Sequence, residues 1–108
     1  GALAAGNSVL LKFAEDSAQF ARLLQDLVAQ YFAPEVLRVV CSAPGVAQAF
    51  VALPFDHLLF TGSSAAGQKV MAAASQNLTP VTLELGGKSP VLLLPDADVA
   101  RVAVGGRL

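Results

Sequence analysis

Short runs of β-branched residues and leucine alternate along this chain with longer stretches in which apolar residues recur every three or four positions. Ser8 to Leu11 is the first such run and predicts a strand. From Ser17 to Phe32 the residues Phe20, Leu23, Leu24, Leu27, Val28 and Tyr31 fall at helical spacing. Gln19, Arg22, Gln25, Asp26 and Gln30 take the other face, and Ser17 offers an N-cap. Leu37 to Val40 predicts a second strand, Val46 to Leu53 a short Ala-rich helix, and His57 to Phe60 a third strand closed by Thr61-Gly62-Ser63. Ser64 to Asn77 predicts a helix with Ala66, Val70, Ala73 and Ala74 facing inward. Val81 to Leu85 and Pro90 to Leu94 predict two more strands, parted by Gly86-Gly87-Lys88. Asp96-Ala97-Asp98 then supplies N-cap residues for a last helix.

Strands that alternate with helices imply βαβ units and a parallel sheet. The strands are almost continuously apolar, as expected when helices cover both faces of the sheet. In such α/β folds ligands bind beyond the carboxyl ends of the strands. That rule singles out Lys12 to Glu15, Thr61 to Gly67 and Glu84 to Lys88.

Composition narrows the picture. A length of 108 residues suits one domain at most, or part of one. Net charge is −1, which offers no electrostatic reason to bind nucleic acid or an anionic membrane. One cysteine builds no disulfide framework, so a reducing, cytoplasmic setting is expected. No apolar run approaches the ~18 residues of a membrane span, and no signal peptide is evident. Only 14% of residues are charged, and mean hydropathy is +0.60. A free-standing soluble domain carries about 25% charged residues. Met71 is the only methionine. The chain is therefore expected to be an internal slice of a larger protein, with apolar faces that other segments cover.

Three segments can carry chemistry. Phe60-Thr61-Gly62-Ser63-Ser64-Ala65-Ala66-Gly67 leads from a strand into a helix. Its free N–H groups, hydroxyls and helix-dipole end suit a phosphate or pyrophosphate, and Gly67 permits close approach. Gln68 stands where a P-loop needs Lys, so it is not that motif. Its plain alternative is an ordinary capped helix. Lys12 and Glu15 can both hydrogen-bond a ribose diol, and a carboxylate there disfavours a 2′-phosphate, which points to NAD over NADP. Their plain alternative is a solvated pair near a helix start. Glu84 lies in the apolar run Val81-Thr82-Leu83-Glu84-Leu85, followed by Gly86-Gly87-Lys88. A carboxylate buried there is a candidate general base with its pKa raised by desolvation. Pairing with Lys88 is the alternative. Cys41 has no arranged partner and reads as a buried structural thiol. His57 lacks metal-ligand company and flanks a strand, so no metal site is supported. Asn77-Leu78-Thr79 matches a glycosylation sequon, which nothing else supports.

Together these segments resemble the NAD(P)-dependent aldehyde dehydrogenase superfamily. The resemblance rests on Ala4-Ala5-Gly6-Asn7 with Lys12 and Glu15, on Phe60-Thr61-Gly62-Ser63, and on Leu83-Glu84-Leu85-Gly86-Gly87-Lys88-Ser89-Pro90. Within the superfamily, Leu53-Pro54-Phe55-Asp56-His57 and Asn77-Leu78-Thr79-Pro80-Val81 look like the class 3 branch, which includes fatty-aldehyde and coniferyl-aldehyde enzymes. The wording is nearest the coniferyl type.

The resemblance implies a Rossmann-like parallel sheet and assigns residues 1–108 to part of an NAD(P)-binding domain, without the oligomerisation segments. It implies oxidation of aldehydes to carboxylic acids through a cysteine thioester. Glu84 would activate the hydrolytic water, Lys12 and Glu15 would hold the adenine ribose, and Ser63 the pyrophosphate at the helix start. Gly62 and Gly67 belong to that same loop, and Leu85 and Gly86 would lie beside the nicotinamide. Class 3 relatives often accept both cofactors, so NADP stays open, and a homodimer is the family's habit. Phe13 and Ala14 depart from the family's Pro and Ser, which implies a differently shaped ribose loop. The catalytic cysteine is implied roughly thirty-odd residues after Glu84, past Leu108, and Cys41 does not replace it. The slice alone is therefore expected to be inactive. Two other readings are a non-catalytic nucleotide-binding or structural remnant of the fold, and a CoA-acylating or phosphate-dependent reductase. Glu84 argues against the latter, where thioester hydrolysis is unwanted.

Overall fold

The run after Ser8 forms β1 (Val9–Lys12) and the run after Val36 forms β2 (Leu37–Val40). The two lie parallel, with Val9 opposite Leu37 and Lys12 opposite Val40. Parallel neighbours need a long crossover, and here it is α1 (Ala18–Tyr31). Val28 of α1 forms a buried cluster with Leu37 and Val39, against which Val9, Leu11, Phe13 and Leu24 pack. This computed structural model describes residues 1–88, 90 and 92–99.

The second half repeats the arrangement. β3 (Leu58–Gly62) and β4 (Val81–Leu85) are parallel, with Leu58 opposite Val81 and Gly62 opposite Leu85. α3 (Ser64–Ala74) crosses between them. α2 (Val46–Val51) leads from β2 toward β3. Leu58, Val70 and Ala74 form the second buried cluster, with Phe50, Val51, Phe55, Phe60, Val81 and Leu83 around it. The fold is a Rossmann-like α/β arrangement, written among the described residues as two parallel pairs.

Several expectations need correction. Pro90, Leu92, Leu93 and Leu94 join no ladder. A strand exists only with a neighbour to share its backbone hydrogen bonds, and Leu92, 86% exposed, has none against it. The helix expected after Asp98 lies, past Val99, outside the described residues. Ser17 precedes α1, but its side chain caps nothing; it closes a 3-10 turn, Glu15–Ser17. α2 stops at Val51, ahead of Pro54, and the predicted last turn of α3 tightens into a 3-10 segment, Ser75–Asn77. Along β4 burial alternates, with Val81 and Leu83 half-buried and Thr82 and Glu84 exposed.

Candidate cofactor and catalytic site

Parallel pairing of β3 with β4 brings two of the three singled-out segments together. Thr61 lies opposite Glu84 and Gly62 opposite Leu85, and the Gly86 N–H donates to the Gly62 carbonyl at 3.3 Å, carrying the ladder past the strand ends. Directly after Gly62 comes the N-terminus of α3. Ser63 is its N-cap: the Ala66 N–H donates to Ser63 Oγ at 3.2 Å, and the Gly67 N–H to the Ser63 carbonyl at 2.9 Å. The N–H groups of Ser64 and Ala65 find no acceptor among the described residues. A hydroxyl has one donor and two acceptor positions, so the cap leaves the Ser63 O–H free to donate. The dipole of this 11-residue helix adds partial positive charge at the same place.

The glycines divide between packing and access. Gly67 is buried, and a Cβ there would stand 2.9 Å from Leu85 Cδ2 and 3.5 Å from Leu83 Cδ1. Its role is to let α3 lie close on β4. A Cβ on Gly62 would meet the Phe60 ring at 2.6 Å, so that ring takes the space. Gly86 and Gly87 instead have nothing within 4 Å of the Cβ position, which leaves the backbone beyond β4 open to a flat ligand.

Glu84 is exposed, on the face of β4 turned away from α3. The burial expected from its apolar sequence neighbours is absent, because alternate residues of a strand point to opposite faces. Among the described residues no ion pair joins it to Lys88. Its cross-strand neighbour Thr61 is a hydroxyl that sequence reading missed as a partner. The signal lay in register, since only pairing places Thr61 beside Glu84. On the same face His57 Nε2 and Thr82 Oγ1 are 2.9 Å apart, which ties the approach to β3 to β4.

Lys12 and Glu15 lie at the carboxyl end of the other pair. Lys12 closes β1, half-buried, and Glu15 is exposed in the 3-10 turn before α1. The intervening Phe13 packs edge-on against Phe20, centroids 5.2 Å apart, and its carbonyl accepts from Ser42 Oγ at 2.7 Å. The Phe13 ring therefore ties the loop after β1 to α1, and its backbone carbonyl ties the same loop to the one after β2. Cys41 is half-buried rather than buried, and its Sγ donates to Gln25 Oε1 at 3.5 Å. Asn77 Nδ2 donates to the Ala52 carbonyl at 2.8 Å and Thr79 Oγ1 to the Phe55 carbonyl at 2.9 Å, so the sequon-like triplet is occupied in fixing a turn.

The residues present fit a dinucleotide. Free first-turn N–H groups, an available Ser63 hydroxyl and open space at Gly86 and Gly87 adjoin one another. Among the described residues no helix is long and apolar enough to cross a membrane.

Comparison with known proteins agrees with this geometry. The chain is 52% identical to a probable coniferyl aldehyde dehydrogenase of Pseudomonas aeruginosa over 97% of its length, covering 23% of that protein. It is 46% identical to the dimeric NADP-preferring aldehyde dehydrogenase of Mus musculus, over 92% of this chain and 22% of the relative. It thus spans about a fifth of the length of these curated relatives. Among solved structures, substrate-bound AldH of Staphylococcus aureus matches with a TM-score of 0.76 at 42% identity, over 82% of this chain and 19% of that one. Aldehyde dehydrogenase C of Pseudomonas syringae, complexed with NAD+ and octanal, matches at 0.70 and 45% identity, over 92% and 21%. The model of the aldehyde dehydrogenase family matches residues 1–106, and the chain belongs to that family.

Proposed function

We propose that this chain is the cofactor-binding portion of an enzyme that oxidises aldehydes to carboxylic acids with NAD(P)+. The observation that carries the reading is the junction of β3, β4 and α3. Register sets Glu84 beside Thr61, one residue from the ladder's end, where the α3 N-terminus and the open Gly86 backbone meet. Ser63 and the first-turn N–H groups of α3 bind the pyrophosphate, Lys12 and Glu15 the adenine ribose, and Leu85 and Gly86 flank the nicotinamide. Gly62 and Gly67 keep the strand and helix close enough to form the loop. When bound, the cofactor supplies the hydride acceptor. Glu84 takes a proton from water, so that the hydroxide formed hydrolyses the thioester on a cysteine contributed from beyond this chain. Glu84 is exposed, so water reaches its carboxylate.

The substrate class follows the relatives' names: an aromatic aldehyde of the coniferyl type, in a cytoplasmic homodimer. The NADP-preferring mouse relative supports acceptance of either cofactor. In the longer enzyme, Glu84→Gln is expected to leave cofactor binding and one turnover's burst of reduced cofactor intact. Steady-state turnover should fall by about two to four orders of magnitude, the usual worth of a general base. Stopped-flow absorbance of the reduced cofactor reads both phases. Unchanged steady-state turnover would remove Glu84 from the role, and a lost burst with lost cofactor binding would make it a binding residue.

A further inference from the structure

Among the described residues β2 pairs only with β1, which leaves its other edge without a strand, and one bond fixes the phase of the ladder: the Val9 N–H donates to the Val36 carbonyl at 2.8 Å. Backbone groups of successive strand residues point to alternate sides. Val36, Arg38 and Val40 therefore address β1, and Leu37, Val39 and Cys41 address the outer edge. Val39 is the middle of those three, and its carbonyl is already taken. Gln25, reaching across from α1, donates Nε2–H to it at 2.9 Å. The other end of the same amide, Oε1, accepts from Cys41 Sγ. A cleft of about 410 Å3 lined by Gln25, Val28, Phe32, Leu37 and Val39 runs alongside.

We infer that Gln25 guards this edge against strand addition by a second copy of the chain. An open edge of β-branched residues is a template for another strand. When two identical edges meet about a twofold axis they pair antiparallel, and the central residues exchange both backbone bonds. On this edge the central residue is Val39, so the Gln25 amide sits on the carbonyl that such pairing needs. Helix α1 thus blocks the edge with a side-chain amide, where other proteins use a charge, a proline or a bulge. The inference is independent of the proposed reaction.

Gln25→Leu preserves side-chain size and removes both polar atoms, whereas Gln25→Lys restores a donor for the Val39 carbonyl. By sedimentation equilibrium of the full chain, Gln25→Leu is expected to raise the self-association constant at least about tenfold, the worth of one to two net backbone hydrogen bonds. Gln25→Lys should stay at the parental level. Equal association of Gln25→Leu and parent, or of the two variants with each other, would overturn the inference. If Gln25→Leu loses its helical circular dichroism, Gln25→Met takes its place, with the same results expected and the same results overturning it.

Discussion

Gly67 shows how a single missing side chain sets the distance between α3 and β4. Adding a Cβ brings two opposing effects. Alanine gains roughly 1 kcal/mol of helix propensity over glycine, while the new methyl meets Leu85 Cδ2 at 2.9 Å. That atom is the tip of a leucine only 39% exposed at the strand end, and it can turn aside. Gly67→Ala is therefore expected to change stability by less than about 1 kcal/mol. Gly67→Val adds two further carbons against both Leu83 and Leu85 and should cost about 1–3 kcal/mol as overpacking. Urea titration of the two variants separates these outcomes; a valine variant as stable as the parent would show that α3 does not rest on β4 through this position.

At the scale of the element, α3 is specified at both ends by single residues. Ser63 starts it through the bond from the Ala66 N–H, and Leu78 ends its 3-10 extension with φ at 55°, in the left-handed region. Leu78 is 89% exposed, so its side chain offsets none of that strain by packing. Ser63→Ala is expected to lose about 1 kcal/mol as a lost cap. Leu78→Gly should gain about 0.5–1 kcal/mol, because glycine takes positive φ without steric cost and outweighs its own entropic penalty. Thermal unfolding should move in opposite directions for the two, and a Leu78→Gly variant that melts below the parent would contradict the strain argument. Only Ser63→Ala should also weaken dinucleotide binding. Much of this was legible in sequence. Leu37–Val40 and Val81–Leu85 were located to the residue, because apolar runs bounded by Pro, Gly or polar turns have little freedom of placement. The loops beyond the strands were legible by the same logic. Local pattern carried no information on partners. Pro90 and Leu92 to Leu94 have the composition of a strand but join no ladder, and Thr61 becomes the neighbour of Glu84 only through a register set between segments 23 residues apart.

At the scale of the whole molecule, β1 and β3 each leave one edge turned away from their partner strand. The Leu58 N–H donates to the Pro80 carbonyl, and the Gly62 carbonyl accepts from Gly86. Leu58, Phe60 and Gly62 therefore address β4, while Leu59 and Thr61 send their backbone groups to the opposite edge. β1 likewise turns Leu10 and Lys12 away from β2. Among the described residues no ladder joins β1 to β3. A cleft of about 360 Å3 is lined by Val9 and Leu10 on one side and by Phe55 and Asp56 on the other. The radius of gyration, 17.7 Å, exceeds the ~13 Å of a compact chain of this length. In doubly wound folds the strand order runs outward in both directions from the switch point. β1 to β2 grows one way and β3 to β4 the other. The longer protein is therefore expected to place a parallel strand between β1 and β3. Amide exchange tests this directly. The N–H groups of Leu10, Lys12, Leu59 and Thr61 should exchange freely in the 108-residue chain and slow by at least about a hundredfold in the longer protein, as interior ladder groups do. Equal exchange in both would mean that the pairs remain separate sheets. A strand in that position also bears on the chemistry. In the binding mode proposed above, a dinucleotide held by Lys12 and Glu15 at one pair and by Ser63 at the other needs the two carboxyl ends at a fixed separation. Restoring the strand should therefore restore cofactor affinity together with exchange protection, and affinity without protection would place the ribose contact elsewhere.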